Sequence, residues 1–157
     1  MAKPKPTAQS TAKIKSRTYL SQADVPLYSL EKALTISQTI IDNYGKAGVA
    51  KPLEVAKVLQ VGPTNSLFKM QTGASIAYGL TDGGWNAATI KITSLGMKIL
   101  RRQDDSQALE GKREALLKPR VIREFLTKYD NAQIPRDDIA IMFWRVSAFR
   151  EIALPMY

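Results

Sequence analysis

The sequence contains no cysteine and no histidine. The first absence removes disulfides, thiolate nucleophiles and every cysteine-ligated zinc or iron–sulfur site. The second removes the commonest general base near neutrality, the serine–histidine–aspartate triad and histidine-ligated metals. The remaining acids are poorly arranged for hydrolysis: Asp104 and Asp105, like Asp137 and Asp138, are sequence neighbours. Neighbours point to different faces of a helix or strand and make a poor catalytic pair. No Gly-Lys-Ser or Gly-Lys-Thr phosphate loop and no dinucleotide fingerprint occurs, and Gly83 with Gly84 reads as a turn. These absences predict a chain that is not an enzyme and has no cofactor, metal or evident small-molecule ligand.

Long apolar runs are missing too. The longest, Ile139 to Trp144, has six residues, against the ~18 that a membrane-spanning helix needs. The N-terminus lacks the apolar stretch of ~7 to 15 residues of a secretory signal. The expectation is a soluble, cytoplasmic protein without a membrane partner. Its 157 residues suffice for one domain with a modest core.

Charge is the first positive feature: 23 Lys and Arg against 14 Asp and Glu, a net +9. Such a balance favours polyanions. Acid is absent from residues 1–23, which carry Lys3, Lys5, Lys13, Lys15 and Arg17 among Pro, Ser, Thr, Ala and Gln. With little to bury, this stretch is predicted to be a disordered basic arm, serving either as a solubilising tail or as a contact to nucleic acid.

Beyond the arm the chain reads as helices around one hairpin. Ser29 can cap a helix with Glu31 in its first turn, and Leu30, Ala33, Leu34, Ile40, Ile41 and Tyr44 share a face up to Gly45. Pro52 opens a second, short helix with Leu53, Ala56 and Leu59 inside, broken by Gly62 and Pro63. A third spans about 64–78, with capping oxygens on Thr64, Asn65 and Ser66. At ~100° per residue, Leu67, Met70, Ala74, Ala77 and Tyr78 gather inside, and Asn65, Lys69 and Thr72 outside. Phe68 and Ile76 fit neither side, and Gly73 weakens the interior unless close packing needs a residue without a side chain.

Leu80 and Thr81, a turn over residues 82–86, and the alternation of Ala88, Ile90 and Ile92 with Thr89, Lys91 and Thr93 predict a hairpin. Thr93 or Ser94 can cap a further helix with Leu95, Met97, Ile99 and Leu100, running into Arg101 and Arg102. Two more helices follow, one with Leu109, Ala115, Leu116 and Leu117 before Pro119. The other carries Val121, Ile122, Phe125, Leu126 and Tyr129, whose face packs on the first helix or on a second subunit. Asp137 or Asp138 can cap a last helix, but residues 139–157 show no helical stripe. They read either as an altered or truncated end or as residues that complete the core.

The resulting class is mainly α with a small β-hairpin, an α+β fold. Residues 30 to about 100 resemble the winged helix-turn-helix superfamily. The resemblance rests on the Pro52, Leu53, Ala56, Leu59 helix, the Gly62, Pro63 turn and the Thr64, Asn65, Ser66 start. It continues in the Tyr78, Gly79, Leu80 exit and in Ile90, Ile92, Thr93, Leu95 and Gly96. After the arm at 1–23, it implies a winged domain at 24–103 and a C-terminal helical extension at 104–157, such as some prokaryotic members carry. In such proteins the third helix enters the major groove of DNA and the wing touches the adjacent backbone or minor groove.

The implied function is a transcriptional regulator that binds double-stranded DNA, as a homodimer through its C-terminal helices. The implied contacts are Thr64, Asn65, Ser66, Lys69 and Thr72 on the third helix, Trp85, Asn86 and Lys91 on the wing, and Lys13, Lys15 and Arg17 on the arm. Asn pairs with adenine, Ser and Thr read several edges or a phosphate, Lys meets phosphate or guanine, and a tip aromatic can wedge against sugar or base. Two alternatives stay open. Thr64, Asn65 and Ser66 cap a helix whatever the function, and Trp85 can fold back on the domain. A winged-helix module for protein contacts, with a nonspecific basic tail, is the competing function, favoured by Phe68 and Ile76.

Overall fold

The computed structural model describes residues 21–101 and 104–129. Ser29 accepts a hydrogen bond from the Lys32 N–H (3.4 Å), and α1, Leu30–Tyr44, runs from there until the Gly45 N–H donates back to the Ile41 carbonyl. A 3₁₀ turn leads to β1, Val49–Ala50. Pro52 occupies the first turn of α2, Pro52–Val58, where its missing N–H costs nothing. The Glu54 carboxylate closes that end by accepting from the Lys51 N–H at 3.1 Å.

α2 and α3, Ser66–Ala77, end in the same way. After α2, Gln60 N–H donates to the Lys57 carbonyl and Val61 N–H to that of Ala56; after α3, Gly79 N–H donates to Ile76 and Leu80 N–H to Ser75. This double bond pattern requires a left-handed residue, usually glycine. Gly79 adopts it at φ 70° without a Cβ penalty, whereas Gln60 adopts it at φ 56° with one.

β2, Thr81–Asp82, and β3, Ile90–Ile92, form the expected hairpin, shorter than the alternation over residues 88–93 suggests. β3 is the centre of a three-stranded antiparallel sheet in the order β1-β3-β2, with Ala50 opposite Ile90 and Asp82 opposite Lys91. Thr93 then caps α4, Ser94–Leu100, by accepting from the Gly96 N–H, while its hydroxyl donates to the Gly79 carbonyl at 2.6 Å. That one side chain ties the exit of the sheet to the end of α3. Asp104 caps α5, Asp105–Leu116, and the Ser106 hydroxyl and N–H beside it hold its carboxyl below the usual range. α6, Arg120–Lys128, completes the described chain. These six helices and the small sheet make a mainly helical α+β fold.

Two apolar clusters form the core, and α1 contributes to both. Its N-terminal half brings Leu30, Ala33 and Leu34 against Ala74, Tyr78, Leu80, Leu95, Ile99 and Ala115. Its C-terminal half brings Ile36 and Ile40 against Val55, Ala56, Phe68 and the sheet residues Ala50, Ile90 and Ile92. The Tyr78 hydroxyl donates to the Tyr28 carbonyl at 3.1 Å, and burial raises its pKa, helped by the negative charge of Glu31. In α6, Val121 is fully buried and Ile122 packs on the first cluster, while Leu126 is exposed. In α2, Leu53, expected inside, is exposed, and Val55 takes its place. Residues 130–157, with Asp137, Asp138 and the apolar run from Ile139, lie outside the described residues.

Candidate nucleic-acid interface

The α2–α3 connection turns on an Asn65 N–H to Gly62 carbonyl bond of 2.9 Å and delivers Asn65 to the head of α3. There Asn65 Oδ1 accepts from the Leu67 N–H at 2.9 Å, so this side chain is the cap. Thr64 and Ser66 flank it and are exposed. The first turn of α3 contains no acid, as in α4 and α6, whereas α1, α2 and α5 begin with Glu31, Glu54 and Asp105. A helix head carries orphan N–H groups and about half a positive charge, which an acid would neutralise and a phosphate complements.

One turn along, the Lys69 ammonium sits 4.0 Å from the centre of the Trp85 ring. This contact fastens the β2–β3 hairpin to α3 and is worth about 0.5 to 1 kcal/mol at an exposed site. The same side of α3 carries Ile76, whose Cδ1 lies 3.2 Å from where a Cβ on Gly84 would be. Trp85 therefore folds onto α3 while keeping 36% of its surface open. Asn86 is exposed beside it, and Lys91 projects from β3 between the buried Ile90 and Ile92, directly across from the exposed Asp82.

One expected contact is overturned. Thr72 does not face outward: it is 1% exposed, and its hydroxyl donates to the Phe68 and Lys69 carbonyls of its own helix. Phe68, fully buried in the second cluster, sets the rotation of α3 and carries Thr72 inward with it, four residues along. Ser75 follows, accepting a bond from the Thr81 hydroxyl at 3.0 Å. The rotation leaves Leu67 55% and Ile76 44% exposed. Lys13, Lys15, Arg17 and Arg102 lie outside the described residues, and Arg101 is exposed at the end of α4.

Sequence reasoning did not find Gln22. Its side chain lies over Gly73, and a Cβ there would come within 2.5 Å of Gln22 Oε1. A glycine in a helix interior costs ~1 kcal/mol relative to alanine, and that glycine was the only trace this contact left in the sequence.

No group of three or more acidic side chains placed to hold a metal occurs among the described residues. A groove of about 500 Å³ lies along α1, floored by Leu34, Leu59 and Leu100, but Glu31 and Asp42 on its rim would repel a polyanion. No helix among the described residues is long and apolar enough to cross a membrane. Comparison of the chain with protein-family models, curated proteins and solved structures gives no match.

Proposed function

We propose that the chain is a winged-helix protein that binds double-stranded DNA through the head of α3 and the wing. The order α1-β1-α2-α3-β2-β3 with a β1-β3-β2 sheet supports the winged-helix reading. One observation carries the binding reading: the Lys69–Trp85 contact joins the acid-free head of α3 to the wing tip, so Thr64, Asn65, Ser66, Lys69, Trp85 and Asn86 belong to one surface. The middle of α3 has little with which to read bases, since Thr72 is buried and Gly73 has no side chain. Affinity then rests mainly on phosphates, and base selection on Asn65 and its neighbours.

Fluorescence polarisation of the full chain on a random-sequence duplex tests this. With ~5 phosphates engaged, raising salt from about 50 to about 200 mM weakens binding by roughly 10² to 10³. Lys69→Ala lowers affinity for all sequences and Asn65→Ala changes the preference among them. Absence of duplex binding at the lower salt overturns the reading.

A second reading has its own observation. Leu67 and Ile76 put apolar surface on the part of α3 that a duplex would want polar. A protein-docking face would lose its partner on Leu67→Ser with Ile76→Ser and would be nearly indifferent to salt.

A further inference from the structure

The groove of about 500 Å³ along α1 takes no part in the duplex-binding surface, and its volume lies in the range of small-molecule sites. Its floor spans both core clusters: Leu34 and Leu100 belong to the first and Leu59 to the second. Glu31 and Asp42 stand on its rim, 11 positions apart on α1. At ~100° per residue, that spacing returns to within ~20° of the same side of the helix. At ~1.5 Å of rise per residue, it separates the two acids by ~16 Å along the axis. The groove thus combines an apolar floor with two carboxylates stacked about three turns apart.

The polar side chains beside these acids spend their donors on their own helix. The Thr35 hydroxyl donates to the Glu31 carbonyl at 3.4 Å and the Thr39 hydroxyl to the Thr35 carbonyl at 2.7 Å. Asn43 Nδ2 donates to the Thr39 carbonyl at 2.9 Å and Gln38 Nε2 to Asp42 Oδ1 at 2.7 Å. Both hydroxyl protons and one N–H of each amide are taken, while the carboxylates and the amide oxygens of Gln38 and Asn43 remain as acceptors. Among the described residues neither Glu31 nor Asp42 pairs with a cation, and no Lys or Arg lines the groove. Lys32, next to Glu31, holds its ammonium over the Tyr28 ring at 4.8 Å. A surface rich in acceptors and poor in donors offers little to a phosphate, a carboxylate or a peptide carbonyl. It suits a ligand that only donates, as an ammonium does.

We propose that the groove binds a linear polyamine, with one terminal ammonium on Glu31, the other on Asp42 and the methylene chain over Leu34, Leu59 and Leu100. An extended spermine carries its end nitrogens about as far apart as the two carboxylates. The chain's net charge of +9 does not forbid this, because remote cations are screened beyond ~10 Å at 0.1 M salt and the local carboxylates decide. No sequence motif announces the site, since its acids lie three turns apart and its floor comes from α1, the end of α2 and the end of α4. The site is independent of the duplex-binding reading.

The test is a chemical-shift titration of the nitrogen-15-labelled full chain with spermine, with α,ω-diaminododecane and with putrescine at about 0.1 M salt. Spermine is expected to shift the side-chain amide signals of Gln38 and Asn43 and to saturate as one site. The diaminododecane, equal in length with cations only at its ends, is expected to bind the same site. Putrescine reaches one acid only and is expected to bind about tenfold more weakly. Glu31→Gln and Asp42→Asn should each lower spermine affinity about threefold and together about tenfold, the scale of exposed ion pairs. Glu110→Gln removes the same charge away from the groove and should leave that affinity unaltered, and unfolding midpoints read alongside show whether each variant keeps its fold. Unchanged affinity in the double variant, or equal affinity for putrescine and spermine, would make the binding a general attraction of cations to acids and overturn the inference. No shift at millimolar spermine overturns it as well, as does tighter binding by a peptide with two lysines five residues apart, which would make the groove a peptide-docking face. Duplex binding by the Glu31 and Asp42 variants, measured without polyamine, should match wild type whichever way the titration falls.

Discussion

α1 and α3 pack on one another, yet they obey different rules. α1 buries Leu30, Ala33, Leu34 and Ile40 of the face its apolar spacing marks, and with them Ile36, Ser37 and Thr39. α3 buries Phe68, Thr72, Ala74 and Ser75 and exposes Leu67 and Ile76. The difference lies in which side chains set the rotation. α1 meets α2, α3, α4, α5 and β1 with apolar side chains spread along its length, whereas α3, packed on α1 and β2, has one large fully buried side chain, Phe68. In α3 that side chain decides the rotation, and Thr72 and Ser75 go inside where their hydroxyls find partners within the same helix or the next strand. Apolar character alone does not say which way such a helix faces.

The sharpest test of that contrast is Phe68→Ala against Leu67→Ala. The first empties a fully buried site and is expected to cost about 3 to 5 kcal/mol, and the second, at an exposed position, less than about 1 kcal/mol. Urea midpoints at unchanged m-values measure both. Comparable losses would mean that α3 is rotated differently from the arrangement described.

Next are the caps. Asn65→Ala should cost about 1 kcal/mol. Ser29→Ala should cost less, because its bond to the Lys32 N–H is 3.4 Å long against 2.9 Å for Asn65 to Leu67. Asn65→Gly should restore most of the lost stability, and whatever it fails to restore in duplex affinity then belongs to the side chain's contact with DNA.

A smaller effect concerns the turn over residues 21–25, ahead of α1, where Asp24 meets Arg120 of α6. Ser21 and then Arg120 hydrogen-bond the Asp24 carboxylate and lower its pKa from the ordinary 3.8. A depressed carboxylate stabilises the fold above its unfolded value and ceases to do so as pH falls through the lower folded value. The stability difference between wild type and Asp24→Asn should therefore be present near neutrality, begin to decline near pH 3.8 and vanish once pH is below the lowered folded value. A difference that persists at lower pH would assign it to packing.

The smallest expected change is none. Thr72→Val keeps the shape of a buried side chain and should leave duplex affinity unaltered, with stability within about 1 kcal/mol. A loss of affinity would restore Thr72 to the surface where its polarity first placed it.

What could be read in advance follows the same division. Ser29, Glu31, Gly45 and the three-and-four spacing define α1 because a helix whose large side chains all face the core writes its environment into its pattern. Pro52, Asn65, Gly79 and Thr93 likewise mark ends correctly, since caps depend on local chemistry. The polar head of α3 was legible for that reason. Its rotation was not, because Thr72 counts as polar in any tally although it is satisfied by its own helix. β1 escaped because two residues between Gly48 and Lys51 carry no period. Gln22 escaped because its seat depends on a residue 51 positions away, with only the missing side chain at Gly73 to hint at it.

The central position of β3 has a consequence for how the molecule assembles. Asp82 and Lys91 are 9 positions apart, so the hairpin closes locally, but Ala50 and Ile90 are 40 apart, and their pairing closes a ring of chain that contains all of α2 and α3. Closing the longer loop costs roughly 1.3 kcal/mol more chain entropy than the shorter one. The hairpin can therefore form early, while the ring shuts only once α2 and α3 are docked and can repay that cost. Afterwards α3 is held inside a closed circuit clasped by Val49 and Ala50 on β3, by the Ile92 N–H to Gly48 carbonyl bond of 2.8 Å and by its own packing on α1.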